Sequence, residues 1–253
     1  MTKVKIQPII ELARCESLLR DQGTILGFGW TLLNPIVNWL VLFTMFAPWA
    51  SAIQSEYSLY LLVGLVYWNF FSQATGALLT AFDRRRFLAL NIAIPPFSFL
   101  LSAFVAIFKP FLVENAVLIA LLAVLGRLSI EALWAVPTAV GLTAGLALIA
   151  GILLSVLNSF LRDAGHLWAL LLRMGFFVTP VFLPREFISQ RAGGYLLTLN
   201  PLVGCLDSAR IMIATSTPTS LSSLPCTLLS ICVLTILTPP LFKKFQSRLI
   251  EAI

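Results

Sequence analysis

The sequence predicts an all-α membrane protein with six transmembrane helices. Hydrophobic residues make up 59% of the 253 residues and charged residues only 11%, which is too little polar surface to cover a soluble domain of this size. The apolar residues form blocks of about 20 or more, the length that a helix needs to cross roughly 30 Å of hydrocarbon. Short polar loops that carry most of the basic residues separate these blocks.

The expected elements follow one another within a single transmembrane domain, residues 1–253. Residues 1–29 precede the first span, and the mixture of apolar and charged residues at 9–22 predicts an amphipathic helix in the cytoplasmic membrane interface, with an ordinary solvated helix as the alternative. Spans one to five occupy residues 30–183. The six expected spans are Trp30–Ile53, Ser58–Ala81, Phe97–Leu125, Ala132–Leu157, Gly165–Leu183 and Leu221–Phe242.

The fifth span and the segment after it need separate justification. Arg173 lies near the middle of the fifth span, where an arginine facing lipid costs about 2.5–3.5 kcal/mol on insertion scales. We therefore expect it to face the bundle interior or a water-filled cavity. Residues 184–220 are too apolar for a solvated loop but are interrupted by Asn200, Pro201 and Asp207, a pattern that predicts short re-entrant helices at the outer surface.

The basic residues predict the orientation. With six spans and an inner N-terminus, eleven Lys and Arg fall in inner segments and four in outer segments. The positive-inside rule favours this arrangement. Without the fifth span the tail at 243–253, which carries Lys243, Lys244 and Arg248, would lie outside. We therefore expect both termini in the cytoplasm.

The sequence lacks the motifs of common enzymatic chemistry. It has one histidine, His166, and no HExxH, GxSxG or EF-hand pattern. No Gly-Lys dipeptide occurs, so the chain has no Walker A phosphate loop. The basic residues are not grouped with aromatic stacking platforms, which argues against nucleic acid as a partner. We expect no cofactor in this chain, and any ATP must be bound by another polypeptide.

Aromatic and charged residues inside the spans are candidates for a path. Trp39, Tyr67 and Trp68 lie deeper than the usual interface anchors, so their rings could stack on the apolar faces of sugars, with packing as the alternative. Lys109 and Glu114 lie within the third span. They either line a path or satisfy each other.

Five groups of motifs follow one another along this scaffold. They are LGFGW at 26–30 with LNP at 33–35, residues 91–95, LS at 154–155 with RDAGHL at 162–167, FFVTPV at 176–181 and LNPL at 199–202. Their order and spacing, from about residue 20 to 240, resemble the permease subunits of bacterial type-2 ABC transporters that export O-antigen, capsular polysaccharide or teichoic acid.

This resemblance implies half of an exporter for a lipid-linked polysaccharide, and not an enzyme. Two copies would form a homodimer in the lipids of the bacterial inner membrane, and two copies of a separate ATPase would bind on the cytoplasmic side. The first and fifth spans would line the conduit. The implied ATPase-coupling residues are Asp83, Arg84, Arg85, Arg86, Phe87, Arg162, Asp163 and His166, and the channel-lining candidates are Trp39, Phe43, Tyr67, Trp68, Phe176 and Phe177.

Two alternatives stay open at this point. A permease of the same fold could export a drug, a lipid or a peptide, whereas a membrane-embedded glycosyl or acyl transferase would be a different class. The aromatic content and the full set of motifs favour polysaccharide export. A transferase would need a cluster of acids or histidines, which the sequence lacks.

Overall fold

The computed structural model describes residues 11–15, 27, 29–54, 56–84, 96–161, 163–192, 194–213 and 223–251, and its regular elements in these ranges are helices. Residues 11–15 are helical, and the rest of the predicted amphipathic helix at 9–22 lies outside the described residues. The other helices are α1 Gly29–Ala50, α2 Tyr57–Leu79, α3 Ala81–Arg84, α4 Pro96–Val124, α5 Ala132–Asn158, α6 Ala164–Val178, α7 Arg185–Ala192, α8 Gly194–Leu199, α9 Pro201–Arg210 and α10 Leu224–Glu251.

Within the described residues, three helices are long and apolar enough to cross a membrane. They are α1, Phe97–Val124 of α4, and α5. Two shorter apolar helices, α6 and Leu224–Pro240 of α10, accompany them. The predicted class, an all-α membrane protein that crosses the bilayer several times, is confirmed.

Helix α2 lies at the centre of the bundle. Sixteen of its 23 residues are buried, and it packs against α1, α4, α5, α6 and α9. At about 1.5 Å per residue it is roughly 35 Å long, enough to cross the hydrocarbon. It is less apolar than α1, α4 and α5 because it carries polar residues such as Asn69, Gln73 and Thr75. A helix enclosed by other helices tolerates such residues better than one that faces lipid.

The helical part of the expected fifth span is shorter than the predicted Gly165–Leu183. Helix α6 ends at Val178, and Thr179 has an extended backbone with φ −83° and ψ 138°. Pro180 explains this ending, because a proline disfavours helical geometry in the residue before it. The following residues Val181 and Phe182 turn back into the core, where both are buried.

The segment predicted to hold re-entrant helices is described over 184–192 and 194–213, where it forms three short helices, α7, α8 and α9. Nine of the ten residues of α9 are buried, and it packs against α2, α5 and α10. Its start follows from the sequence, because Asn200 is the N-cap and Pro201 occupies the first turn. Helix α9 is therefore a part of the packed bundle and not a solvated loop.

Helix α10 continues beyond the predicted sixth span. It runs through Pro239 and Pro240 to Glu251, into the stretch expected to be the cytoplasmic tail. Leu, Lys, Gln and Arg dominate the sequence after Pro240, and these residues favour helix.

Candidate functional site

Helices α1 and α6 lie against α2 but bury little of their own surface. Pro35 and Ala50 are the buried residues of α1, and Ala164 is the buried residue of α6. Large exposed apolar side chains, including Met45 and Met174, cover much of the remaining surface of both helices. In a membrane protein such a surface faces either lipid or another subunit.

Helix α6 has three faces at helical spacing. One face packs against α2, where Trp168 Nε1 donates to Thr75 Oγ1 over 3.0 Å. A second, fully apolar face consists of the exposed residues Leu167, Leu170, Leu171, Met174 and Val178. The third face consists of the exposed residues His166, Ala169, Arg173 and Phe177. The two basic side chains of α6 thus lie on one side of the helix.

A groove with a volume of about 380 Å³ lies between α2 and α6. Trp68 and Ser72, one helical turn apart, form the wall on α2. Arg173 supplies its positive charge and makes no ion pair with any described residue. The remaining lining residues are Ala169, Leu172, Phe176 and Phe177 of α6.

Aromatic rings connect this groove to α1. The ring centroid of Phe176 lies 5.7 Å from that of Trp68, 5.7 Å from that of Phe177 and 5.3 Å from that of Phe182. Phe182 in turn lies 5.0 Å from Phe46 of α1. The structure therefore brings together three predicted channel residues, Trp68, Phe176 and Phe177. It adds Phe46 and Phe182, which no pattern in the sequence distinguishes from core residues.

The other three predicted channel residues lie elsewhere. Trp39 and Phe43 stack with centroids 5.2 Å apart, and Trp39 Nε1 donates to the Ser58 carbonyl over 2.9 Å. Tyr67 is only 1% exposed, and its hydroxyl donates to Asn115 Oδ1 of α4 over 2.8 Å. For Tyr67 this environment favours packing over contact with a substrate.

The motifs FFVTPV and LNPL meet at the end of the bundle that holds α9. Asn200 Nδ2 donates to Thr179 Oγ1 over 2.8 Å, and Asn200 Oδ1 accepts from the Leu202 amide over 3.0 Å. Thr227 Oγ1 of α10 donates to the Pro201 carbonyl over 2.8 Å. The two motifs thus fasten the end of α6 to α9 and α10.

Arg210, at the end of α9, is 3% exposed. Its Nη2 donates to the carbonyls of Pro180 and Val181 over 2.6 and 3.2 Å, and its guanidinium lies 3.4 Å from the ring centroid of Tyr60. The planar guanidinium can stack on a ring and donate in its own plane at the same time, which a lysine cannot do.

Asp207, one turn earlier on α9, is 5% exposed. It forms an ion pair with Arg185 of α7 and accepts a hydrogen bond from Ser223 Oγ over 2.8 Å. Burial raises the pKa of Asp207, while Arg185, Arg210 and the Ser223 hydroxyl oppose that rise. Arg185, Asp207, Arg210 and Ser223 form a polar network around α9. The loop-charge count treated the two arginines as topology signals only, and no pattern in the sequence indicates this network.

The predicted ATPase-coupling residues fall only partly within the described residues. Asp83 and Arg84 end α3. Asp163 precedes α6, and both Asp163 and His166 are exposed. Arg85, Arg86, Phe87 and Arg162 lie outside the described residues.

Other ionisable residues are dispersed. Lys109 of α4 is exposed and Glu114 is buried, so the two residues occupy different faces of the helix. In the part of the chain that the structure describes, no group of three or more His, Cys, Asp or Glu could hold a metal ion. The groove between α2 and α6 and the polar network around α9 are therefore the candidate sites.

Comparison with known proteins assigns the family. A family described as ABC2_membrane, ABC-2 type transporter, matches residues 10–214. An O-antigen export system permease protein RfbA of Myxococcus xanthus is 28% identical over 201 residues, which cover 79% of this chain and 77% of the relative. Two proteins of the same name from Klebsiella pneumoniae are 27% and 25% identical over 197 residues, 76% of this chain and 74% of each relative. The family match covers most of the chain, including both walls of the groove and all of α9. The chain therefore belongs to the ABC-2 type transporter family.

Proposed function

We propose that this chain is the permease subunit of an exporter that moves a lipid-linked polysaccharide, of O-antigen or capsule type, across the bacterial cytoplasmic membrane. The groove between α2 and α6 carries this proposal, since it combines the rings of Trp68, Phe176 and Phe177 with a hydroxyl and a charge. Sugar rings have apolar faces that stack on aromatic rings and hydroxyl groups that need polar partners. The names of the curated relatives support the same substrate class.

Membership of the ABC-2 family makes the chain a transport component and implies an ABC ATPase as its partner. We place two copies of that ATPase on the cytoplasmic side, in contact with the loop after α3 and the turn before α6. Helix α6 runs from that turn to Val178, and the next residue, Thr179, accepts a hydrogen bond from Asn200 just before α9. A push on its cytoplasmic end would therefore shift one wall of the groove against α2.

The proposed topology has six spans, formed by α1, α2, α4, α5, α6 with its following turn, and α10. Contacts between the loops support it. Arg127 pairs with Glu56 over 2.9 Å, and the Ser129 amide donates to the Met212 carbonyl over 2.9 Å. The three loops that hold these residues thus lie on one side of the membrane, which requires a single crossing between α5 and α9.

Two copies of the chain are proposed to pair so that their α1 and α6 helices enclose the conduit. Both helices bury few side chains, and α10 buries equally few over Leu224–Pro240 but carries no charged residue there, whereas α6 carries Arg173. The face of α6 with His166 and Arg173 would be costly against lipid, whereas a wet conduit would solvate both side chains.

Reconstitution tests the proposed function. The purified complex of this chain and its ATPase, in proteoliposomes with a lipid-linked glycan, should move the glycan to the side opposite the ATPase when ATP is added. Protection of the glycan from an added glycosidase reports that movement. The chain alone should not hydrolyse ATP, and a complex with a Walker A lysine substitution in the ATPase is the matched control. Transport of a small drug or free lipid by a complex that does not move the glycan would contradict the proposal.

The coupling role proposed for Arg84, Arg85 and Arg86 has its own test. Changing all three to lysine keeps the charge and the insertion signal but removes the planar fork of each guanidinium. If these side chains make specific contacts, stimulation of the ATPase should fall at unchanged membrane insertion. The single change Arg127→Lys, at an exposed ion pair, is the control. Unchanged ATPase stimulation in the triple variant would mean that these residues act only as topology signals.

A further inference from the structure

We propose that Arg173, together with Ser72, binds the diphosphate group that joins the exported glycan to its lipid carrier. This inference rests on the function proposed above and names a ligand for one point of the path. Arg173 is the tenth of the fifteen residues of α6, so it lies about 14 Å along the helix from its first residue. In the six-span topology proposed above, that position lies within the hydrocarbon core.

The charge balance of the groove selects an anion. Among the described residues that line it, Arg173 is the charged one and none is a carboxylate. The surrounding side chains, Leu172, Phe176 and Phe177 among them, are apolar. A charge at such a site interacts more strongly with an opposite charge than it would in bulk water. An anionic ligand would therefore gain from the field of Arg173 and would offset the cost of keeping the guanidinium there.

The donors that line the groove fit a phosphate ester. The guanidinium fork matches two oxygens of a phosphate, and the Ser72 hydroxyl on the opposite wall can donate to a third. The volume of about 380 Å³ lies within the range of about 300–1,000 Å³ that is typical of ligand pockets.

The surroundings of the groove fit a ligand that carries a sugar on one side of its phosphate and a lipid on the other. Phe177, which is exposed, and Phe176, which is half-buried, offer rings to the sugar, while the buried Trp68 packs beneath them. The neighbouring apolar face of α6, defined above from Leu167 to Val178, offers a surface to a hydrocarbon chain. An amphipathic lipid-linked glycan has its diphosphate at the boundary between these two regions.

The experiment measures binding of radiolabelled undecaprenyl diphosphate to the complete complex in nanodiscs of phosphatidylcholine. We expect Arg173→Gln to weaken binding about tenfold or more, because it removes charge-assisted hydrogen bonds. Arg173→Lys should weaken binding less, since it keeps a point charge. Arg127→Gln removes one positive charge outside the groove and should bind as the unaltered complex does. Binding of undecaprenol, which has no phosphate, should not change in Arg173→Gln.

Three results would overturn the site. The first is equal binding of the diphosphate by Arg173→Gln and the unaltered complex. The second is full displacement of the diphosphate by an equal amount of phosphatidylglycerol, which would make the groove a site for bilayer lipid. If Arg173→Gln does not assemble, the variant Ser72→Ala tests the site instead. We expect it to bind the diphosphate about fivefold more weakly. Unchanged binding by Ser72→Ala is the third contrary result.

The outcome for this site is separable from the outcome for the transport function. A complex that binds the diphosphate through Arg173 but moves no glycan would refute the proposed transport and leave the site. A complex that exports glycan at the normal rate with Arg173→Gln, and binds the diphosphate normally, would refute the site and leave the transport function.

Discussion

Two ion pairs in this chain differ in burial and should differ in energetic importance. Asp207 and Arg185 are mostly buried, whereas the side chains of Arg127 and Glu56 are 50% and 28% exposed. Removing one partner of a buried pair leaves an uncompensated charge, while an exposed pair is screened by water. We therefore attribute a structural role to the pair on α9 and little stability to the other.

The first prediction compares Asp207→Asn with Glu56→Gln. Asp207→Asn should lower the free energy of unfolding by about 3–5 kcal/mol, because Arg185 and Arg210 lose their buried counter-charge. Glu56→Gln should cost less than about 1 kcal/mol. Thermal unfolding of the purified protein in detergent measures both. Equal midpoints for the two variants would mean that the buried pair adds nothing to stability.

Adjacent residues illustrate what the sequence can predict at this scale. Tyr67 and Trp68 look alike as deep aromatics, but successive side chains of a helix point about 100° apart. Tyr67 therefore meets Asn115 on α4, whereas Trp68 meets Phe176 on α6. The sequence could predict that aromatics line some helix face. It could not predict which neighbour each of them meets, since that depends on how the helices are arranged around α2.

At the scale of elements, the contact between α9 and α10 depends on a close backbone approach. A methyl group added at Gly204 would collide with the Thr227 hydroxyl and come within 3.0 Å of the Ser223 carbonyl oxygen. Thr227 also holds α10 against α9, because its hydroxyl donates a hydrogen bond to the Pro201 carbonyl. Glycine is thus required by packing at this position.

The second prediction follows from that contact. Gly204→Ala should destabilise the protein by about 1–3 kcal/mol, the usual cost of overpacking a filled core. Gly141→Ala is the control, because an added methyl group there meets no atom within 4 Å. It should be neutral or slightly stabilising, as alanine favours helix over glycine. A similar thermal midpoint for both variants would contradict the close packing of α9 on α10.

The third prediction separates lining from packing aromatics. Phe177 is 62% exposed, so Phe177→Leu should leave folding intact while it removes a stacking surface, and export should fall about two- to tenfold. Tyr67→Leu should instead lower stability, because it breaks the bond to Asn115, with normal export per folded complex. Trp39, Trp68 and Phe176 to Leu complete the series. Normal export by every variant at matched protein level would make all these aromatics packing residues.

Element boundaries could be predicted where local chemistry decides them. Length and hydropathy predict α1, α4 and α5, and Asn200 followed by Pro201 is a helix-start signal for α9. The early end of α6 follows from Pro180. The polar network around α9 could not be predicted, because Arg210 contacts Pro180 and Tyr60 only after four helices have packed together.

At the scale of the whole molecule, the bundle is built around α2 with α1 and α6 on its surface. The sequence could not predict which helices lie outside, since faces that meet lipid and faces that meet another helix are equally apolar. Charge gives the missing information at one place. Arg173 and His166 share a face of α6 that packing within the chain leaves exposed, so that face needs water or a polar partner.

The last prediction concerns topology and depends on α6, which at about 22 Å is shorter than the hydrocarbon core. In a background without native cysteines, Arg85→Cys should label from the cytoplasm and Ala192→Cys from the outside. Ile130→Cys, in the loop between α4 and α5, is the outer control, because its position does not depend on α6. If α6 did not cross, Ala192→Cys would label from the same side as Arg85→Cys. That result would also conflict with the hydrogen bond between Ser129 and Met212, which holds the α4–α5 loop beside the end of the outer segment. Chemical labelling and the contact between Ser129 and Met212 therefore test independently whether α6 crosses the membrane.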